Sequence, residues 1–103
     1  MLFIYRIVPA RKDMLATGPT DTEMKVVAEH FAYLQKLTKA GIVRLAGRTQ
    51  VEDESAFGIV IFTAATEDDA MAIMNNDPAV SKGVMTSALY PFKIALENTG
   101  VVP

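Results

Sequence analysis

The sequence contains no cysteine and no tryptophan, and it has one histidine among its 103 residues. The missing cysteine excludes disulfides, thiolate nucleophiles and thiolate metal ligands. A single histidine with scattered carboxylates does not make a transition-metal site, so no metal is expected. No glycine-rich phosphate loop occurs, and we therefore expect no nucleotide or other cofactor. Any imidazole chemistry in this chain must use His30.

Long apolar runs and basic clusters are also missing. The apolar start, residues 1–8, is too short to span a membrane, and no small-residue cleavage site follows it. The formal net charge is −2, and no basic run interleaves with aromatic residues, so nucleic-acid binding has little support. These absences favour a cytoplasmic protein that binds neither nucleic acid nor membrane.

The residues that are present indicate a packed core. Half of the chain is hydrophobic and 21% is charged, which is typical of a globular protein and not of a disordered one. The length allows one small domain and not two, and we predict a single domain over residues 1–103.

Periodicity and capping signals predict the order β-α-β-β-α-β. Thr20-Asp21-Thr22-Glu23 fits a capping box, and Thr66 precedes three acidic residues as a second N-cap. The predicted strands are Leu2–Val8, Ile42–Arg48, Gly58–Thr63 and Met85–Leu96, the last with an edge or bulge at Pro91. The predicted helices are Asp21–Lys39 and Thr66–Asn75, with a turn at Pro78–Lys82, a loop at Ala10–Pro19 and an irregular tail at Glu97–Pro103. The expected core stripe of the long helix is Met24, Val27, Ala28, Phe31, Leu34 and Thr38, with Val26, His30, Tyr33 and Leu37 on a neighbouring face.

This order is the ferredoxin-like one, an α+β fold with two helices on one face of a four-stranded antiparallel sheet. Two helices cover only one face, yet the strands carry apolar residues on both faces. The simplest cover for the second face is the same face of another copy, so we predict a homodimer joined sheet to sheet. Either Ile61→Asp or Phe62→Asp should then separate the subunits, and the other should disrupt the core of one subunit.

Several short motifs carry a resemblance to a known family. They are His30-Phe31-Ala32-Tyr33-Leu34, Ala46-Gly47, Phe57-Gly58, Asp77-Pro78, Gly83-Val84 and Pro91-Phe92. The sequence resembles the YCII-related (YciI-like) family of dimeric α/β-barrel proteins. The resemblance implies a ferredoxin-like dimer with a site that pairs the helix histidine, His30, with the aspartate of the Asp-Pro motif, Asp77.

The chain also departs from the family pattern at positions near that site. Val27 stands where the family often has arginine, Arg48 where proline usually follows Ala-Gly, and Ala79 where an aromatic residue usually follows Asp-Pro. These departures leave the substrate open.

His30 and Asp77 are the candidate catalytic pair. Imidazole exchanges protons near neutral pH, and a carboxylate on one ring nitrogen fixes the tautomer and makes the other more basic. Each residue also has a plain structural interpretation. His30 can be an edge residue satisfied by one hydrogen bond, and Asp77 can simply cap the turn that begins at Pro78.

Arg48 and Tyr33 are the candidate substrate-binding residues. Arg48, at the end of the second strand, could hold an anion such as a carboxylate. The alternative for Arg48 is an ordinary surface ion pair with Glu52 or Asp53. Tyr33 belongs to the apolar row that would form the wall of the site.

Two kinds of function remain open on this reasoning. The first is a cofactor-free enzyme in which a His-Asp pair performs acid/base chemistry, of isomerase, lyase or hydrolase type, on a small organic acid. The second is a non-catalytic dimeric module that binds a small apolar ligand or a partner protein. A His30–Asp77 contact that is open to solvent would favour the enzyme.

Overall fold

The computed structural model describes residues 1–98 of the chain. In chain order its elements are β1 (Leu2–Pro9), α1 (Met14–Thr17), α2 (Asp21–Lys39), β2 (Val43–Arg48), β3 (Gly58–Thr63), α3 (Glu67–Asn75), α4 (Pro78–Ser81) and β4 (Met85–Phe92). Among these residues, no helix is long and apolar enough to cross a membrane.

The four strands form one antiparallel sheet in the order β2-β3-β1-β4. Strand β1 lies between β3 and β4, and β2 and β4 are the edges. This is the ferredoxin-like α+β arrangement predicted from the sequence. Pro91 lies on the edge strand β4 in register with Phe3, which agrees with the restriction of proline to edge positions.

The two long helices begin where their capping residues predict. The Thr20 hydroxyl accepts a hydrogen bond from the Glu23 amide (3.1 Å), and the Glu23 carboxylate accepts one from the Thr20 amide (2.8 Å). This reciprocal pair satisfies two amides that have no partner within the helix. The Thr66 hydroxyl caps α3 in the same way by accepting from the Asp69 amide. The bounds of α2 are confirmed at both ends.

The core lies between the helices and one face of the sheet. Alternate residues of β1 point into it, and the register pairs them with alternate residues of β3. The large buried strand residues of this face are Phe3, Tyr5, Ile7, Val43, Val60 and Phe62, none more than 6% exposed. The Phe62 ring packs edge-on against the ring of Tyr5, with centroids 5.6 Å apart, and such pairs stabilise beyond the area they bury.

The predicted core stripe of α2 is largely wrong, because of its members only Leu34 is buried. Met24 and Phe31 are 56% and 62% exposed, and the other buried residue of the helix, Val26, belongs to the neighbouring face. The apolar residues of this helix are spread too widely around it to select one rotation. The rotation follows the polar groups instead, because His30 and Tyr33 both form hydrogen bonds toward the interior.

Several boundaries differ from the prediction, and β1 runs one residue further than predicted, to Pro9. Strand β4 ends at Phe92 and not at Leu96, because Phe92 pairs with Leu2, the first residue of β1, and the partner strand is then exhausted. Strand β2 begins at Val43, since the Ile42 amide still bonds to the Leu37 carbonyl. The predicted loop at 10–19 contains the single turn α1. Of the predicted irregular tail, residues 97 and 98 have no regular structure and the rest lies outside the described residues.

The second face of the sheet carries no helix. Ile4 and Ile61 stand opposite each other on it, with Leu45 beside Ile61 on β2. The face is not wholly apolar, because Arg6 lies at its centre with its guanidinium 4.7 Å above the ring of Phe57. Within one subunit Leu45 and Tyr90 are more than half exposed. The register thus assigns Ile61 to the helix-free face and Phe62 to the helix-covered face.

Candidate functional site

His30 and Asp77 meet between the helices. Helix α2 positions the imidazole, and the junction of α3 and α4 positions the carboxylate. The Nδ1 atom of His30 lies 2.7 Å from Oδ1 and 2.8 Å from Oδ2 of Asp77. The two residues are 47 positions apart in the chain, so the contact predicted from the resemblance is a product of the fold.

Asp77 also caps helix α4. Its Oδ1 accepts a hydrogen bond from the Ala79 amide at 2.9 Å, and Pro78 occupies the first helical position. Proline suits that position because its missing N–H would have no partner within the helix. The Asp77 side chain is fully buried. The capping role and the contact with His30 therefore occur together in one carboxylate.

Tyr5 is a third member of the cluster, and the sequence analysis missed it. Its hydroxyl donates to Oδ2 of Asp77 at 2.7 Å from the middle of β1. Burial, then the negative charge of Asp77, raises the pKa of Tyr5 far above its ordinary value, so the hydroxyl stays a donor. A signal was available, because Tyr5 alternates with buried Phe3 and Ile7, and a buried tyrosine hydroxyl needs a polar partner.

The donors around Asp77 assign the tautomer of His30 for the ionised form of that carboxylate. The Asp77 carboxylate receives the Tyr5 hydroxyl and the Ala79 amide, both of which donate. An ionised carboxylate only accepts, so the proton between it and the imidazole is carried by Nδ1. The Nε2 atom is then left with a lone pair when the ring is neutral, and it is the atom that can take up a proton.

Nε2 is accessible to solvent. No residue in the range 1–98 forms a hydrogen bond with it, since both bonds of the ring are made by Nδ1. In the same range, no side-chain nitrogen or oxygen is both buried and unpaired. Nε2 must therefore reach the surface, which agrees with the 13% exposure of the His30 side chain.

Tyr33 lies one turn beyond His30 on α2. Its hydroxyl donates to the Ile73 carbonyl at 2.7 Å and ties α2 to α3. Burial, and to a smaller extent the charge of Asp77, raises the pKa of Tyr33. The phenol oxygen is thus engaged with the backbone, and the ring is the part of Tyr33 left to contact a ligand.

Within residues 1–98, Arg48 forms no hydrogen bond or ion pair with Tyr5, His30 or Asp77. It is exposed at the end of β2, beside a depression of about 290 Å³ that Leu45, Phe57 and Ile59 also line. Within residues 1–98 its guanidinium has no ion pair, and the alternative partner Asp53 bonds to Ser55 instead. The other arginine of β2, Arg44, forms an ion pair with Glu97 at 2.8 Å.

No group of three or more His, Asp or Glu side chains within the described part of the chain is arranged to hold a metal ion.

Comparison with known proteins places the fold and the cluster in context. The model of the YCII-related domain matches residues 1–93, a range that includes His30 and Asp77. The chain belongs to the YCII-related family. No match was found among curated protein sequences.

This YCII-related chain also resembles a solved structure, the 5-chloro-2-hydroxyhydroquinone dehydrochlorinase of Burkholderia phenoliruptrix in complex with 2,5-dihydroxybenzoquinone. The two are 22% identical with a TM-score of 0.67, over 90% of this chain and 94% of the dehydrochlorinase chain. A likeness at this identity establishes the shared fold, and function must be argued from the site.

Proposed function

We propose that this protein is a cofactor-free enzyme in which His30 acts as general acid and base, held by Asp77, on a small organic acid. One observation carries the proposal: Nδ1 is bound to a buried carboxylate while Nε2 reaches solvent. A histidine that serves packing alone has no need of a buried carboxylate on one nitrogen and an open position at the other.

The chemistry that this arrangement supports is proton transfer at carbon. Nε2 removes a proton from a carbon next to a carbonyl, and the electron pair moves into the carbonyl to form an enolate. The charge of Asp77 favours the positive ring that results. If the carbonyl is conjugated to a carbon–carbon double bond, the dienolate takes the proton back at the far end of the conjugated system, which is isomerisation. If the carbon next to the deprotonated one carries a leaving group, the enolate expels that group as an anion, which is elimination.

The substrate class we propose is a small acid or an acidic hydroxylated ring. The dehydrochlorinase neighbour is complexed with a dihydroxybenzoquinone, and its fold matches this one, so compounds of that kind belong in the first screen. The Tyr33 ring suits the wall of an apolar pocket beside His30. Arg48 lies apart from His30 and lines a separate depression; its guanidinium, which has no ion pair within residues 1–98, would suit the anionic group of a substrate there. Both roles remain proposals.

We further propose that the active form is a homodimer joined through the helix-free face. Leu45 and Tyr90 are more than half exposed on this face, on either side of Ile4 and the buried Ile61, and exposed apolar surface of this kind marks an interface. A two-fold dimer is the commonest way for one chain to cover its own patch.

A second function has a specific observation in its favour. Because Asp77 caps α4 and also receives the Tyr5 hydroxyl, the cluster could exist for stability alone, in a non-catalytic dimeric module that binds a small apolar ligand or a partner protein. The variants His30→Gln and Asp77→Asn separate the two functions. In the enzyme, His30→Gln abolishes turnover while the protein stays folded. Asp77→Asn is expected to lower both activity and stability, because an amide cannot accept from three donors.

The experiment begins with a thermal-shift screen of small carboxylates, lactones and hydroxylated quinones, since a ligand of the native state raises the melting temperature. Each hit is then incubated with the protein in D₂O, and deuterium incorporation or loss of a leaving group is followed by NMR. Incorporation that disappears in His30→Gln supports the enzyme. Ligands that bind equally well to the parent and to His30→Gln, with no exchange in either, support the binding module.

A further inference from the structure

We propose that Tyr5 is a positioning residue whose hydrogen bond to Asp77 weakens the attraction between Asp77 and the His30 imidazole. Tyr5 would in this way set how tightly His30 holds a proton. The inference deepens the proposed function and rests on it for its catalytic meaning, but its test needs no substrate. Neither the family match nor the sequence analysis assigns any role to Tyr5.

The geometry places Tyr5 in direct competition with His30. The Tyr5 hydroxyl lies 2.7 Å from Oδ2 of Asp77, and Nδ1 of His30 lies 2.8 Å from the same oxygen. The other oxygen, Oδ1, is shared between Nδ1 and the Ala79 amide. The four residues are held by three elements, since Tyr5 is on β1, His30 on α2, and Asp77 and Ala79 at the start of α4.

Sharing an anion weakens each of its bonds. Hydrogen bonds to an ionised carboxylate are strong because the charge concentrates on the acceptor oxygen. A buried phenol that donates to Oδ2 takes part of that charge, and the carboxylate then attracts a positively charged imidazole less. Without the phenol hydroxyl, the hydrogen bond between Asp77 and a protonated His30 should become stronger, provided that the Ala79 amide keeps the carboxylate in place.

The other charged and titratable groups around His30 are already paired or exposed. On its own helix, Glu29 forms an ion pair with Lys82 at the end of α4, and the Tyr33 hydroxyl bonds to the Ile73 carbonyl. On β2, which packs against α2, Arg44 pairs with Glu97 and Arg48 is exposed. Within residues 1–98, Asp77 is the one carboxylate bonded to the ring.

The chain is well suited to a direct test, because its sole histidine gives the sole imidazole signals in a ¹⁵N spectrum of untagged protein. The pH at which the His30 ring becomes protonated is measured in the parent and in Tyr5→Phe. We expect the midpoint in Tyr5→Phe to move upward by about half a unit or more, a roughly threefold gain in proton affinity. Tyr33→Phe is the matched control, since it removes a phenol hydroxyl from the same region that does not bond to Asp77.

An unchanged midpoint in Tyr5→Phe, with the protein folded by circular dichroism, would show that Tyr5 serves packing alone and would overturn the inference. A midpoint that moves downward would also overturn it, because Asp77 would then have left the imidazole. An upward move of the same size in Tyr33→Phe would mean that any lost phenol has this effect, and the assignment to Tyr5 would fail.

A second measurement covers the case in which Tyr5→Phe does not fold. Fluorotyrosine is a stronger hydrogen-bond donor than tyrosine and keeps the ring in place. Protein labelled with it throughout is expected to show the opposite shift, a lower midpoint for His30, because the phenol then takes more of the charge. A midpoint equal to that of unlabelled protein would overturn the inference. Because both measurements are made without substrate, they can fail while the His30→Gln activity test succeeds, and the reverse.

Discussion

The two faces of the sheet are built from the same strands and differ in what covers them. On the helix-covered face, Phe3, Tyr5 and Phe62 are completely buried within one subunit. On the helix-free face, Leu45 and Tyr90 are 56% and 54% exposed. Alternation along each strand produces both faces, since neighbouring side chains point in opposite directions. The comparison teaches that apolar residues lie on both faces of the sheet, and that the helices of one subunit cover only one of them.

The polar residues of the two faces differ in the same way. Tyr5 points into the covered face and donates to a buried carboxylate, whereas the next residue, Arg6, points out and lies over the ring of Phe57. A buried polar group requires a partner, while an exposed guanidinium can be hydrated. Tyr5 and Arg6 therefore lie on opposite faces of the sheet. We expect substitutions on the covered face to change the stability of one subunit, and substitutions on the helix-free face to change association between subunits.

The largest effect is expected on the covered face. Phe62→Asp places a charge among Phe3, Tyr5 and Val60 with no partner, and burying such a charge costs several kcal/mol. Since small domains are stable by only about 5–15 kcal/mol, we expect a largely unfolded protein. Circular dichroism and urea denaturation measure this. A folded variant with parental stability would contradict the assignment of Phe62 to the core.

On the helix-free face, a charge should separate the subunits instead. Ile61→Asp tests this at the neighbouring position, and Leu45→Asp tests it more cleanly because Leu45 is exposed in the subunit. If the face is the dimer interface, we expect Leu45→Asp to raise the dimer dissociation constant at least about tenfold, as measured by sedimentation. Met71→Asp on α3 is the control for a charge placed elsewhere on the surface. A parent protein that is monomeric at low concentration would refute the dimer.

A smaller effect sharpens the role of Tyr5 on the covered face. Burial and the charge of Asp77 raise its pKa above the ordinary value of 10.0. The unfolded chain therefore loses this proton above about pH 10 while the folded chain keeps it, so the contribution of Tyr5 to stability is complete below pH 10 and falls as the pH rises. The free energy of unfolding of Tyr5→Phe should be lower than that of the parent by about 1–3 kcal/mol at neutral pH. It should also decline less steeply than that of the parent above about pH 10. Urea denaturation at pH values from about 7 to about 11 tests this, because the loss of stability begins near pH 10. An equally steep alkaline decline would argue against it.

The smallest effect concerns an ion pair that belongs to neither face. The hydrogen bond from Arg11, followed by that from the Thr20 amide, lowers the pKa of Glu23 from 4.5 to about 2. The stability that this carboxylate adds is present above pH 4.5 and is lost as the pH falls from there toward 2. Glu23→Gln should flatten the acid limb of a stability profile, and Glu52→Gln, at an exposed position, should leave it as in the parent. Identical limbs in Glu23→Gln and the parent would contradict the prediction.

Much of the fold could be predicted from local signals. The capping box at Thr20 and the second cap at Thr66 predicted where the helices begin, and the alternation of side chains predicted the strands. The rotation of α2 could not be predicted, because its apolar residues surround too much of the helix and the deciding hydrogen bonds reach residues 40 or more positions away. The end of β4 depended on where its partner strand begins, which is a property of the register.

The candidate site could be predicted in part. His30 and Asp77 were identified through the family motifs, and their contact is observed at 2.7 Å. Their catalytic role stays a prediction, as do the roles of Arg48 and Tyr33. Tyr5 was not predicted, because the alternation of the first strand presents it only as one of several apolar residues. A buried hydroxyl with no assigned partner is the signal that should direct attention to such a residue.

The cluster around Asp77 also has a consequence for the order of folding. Tyr5 and Asp77 are 72 positions apart, so the carboxylate acquires its partners only when the first strand, the long helix and the last third of the chain have come together. Contacts of such sequence separation form late, because the entropy of closing the loop must be overcome first. We expect the Ala79 amide, which donates to Asp77 from a buried position, to exchange its hydrogen only through opening of the whole subunit. The site would then be absent from every partly folded form of the protein.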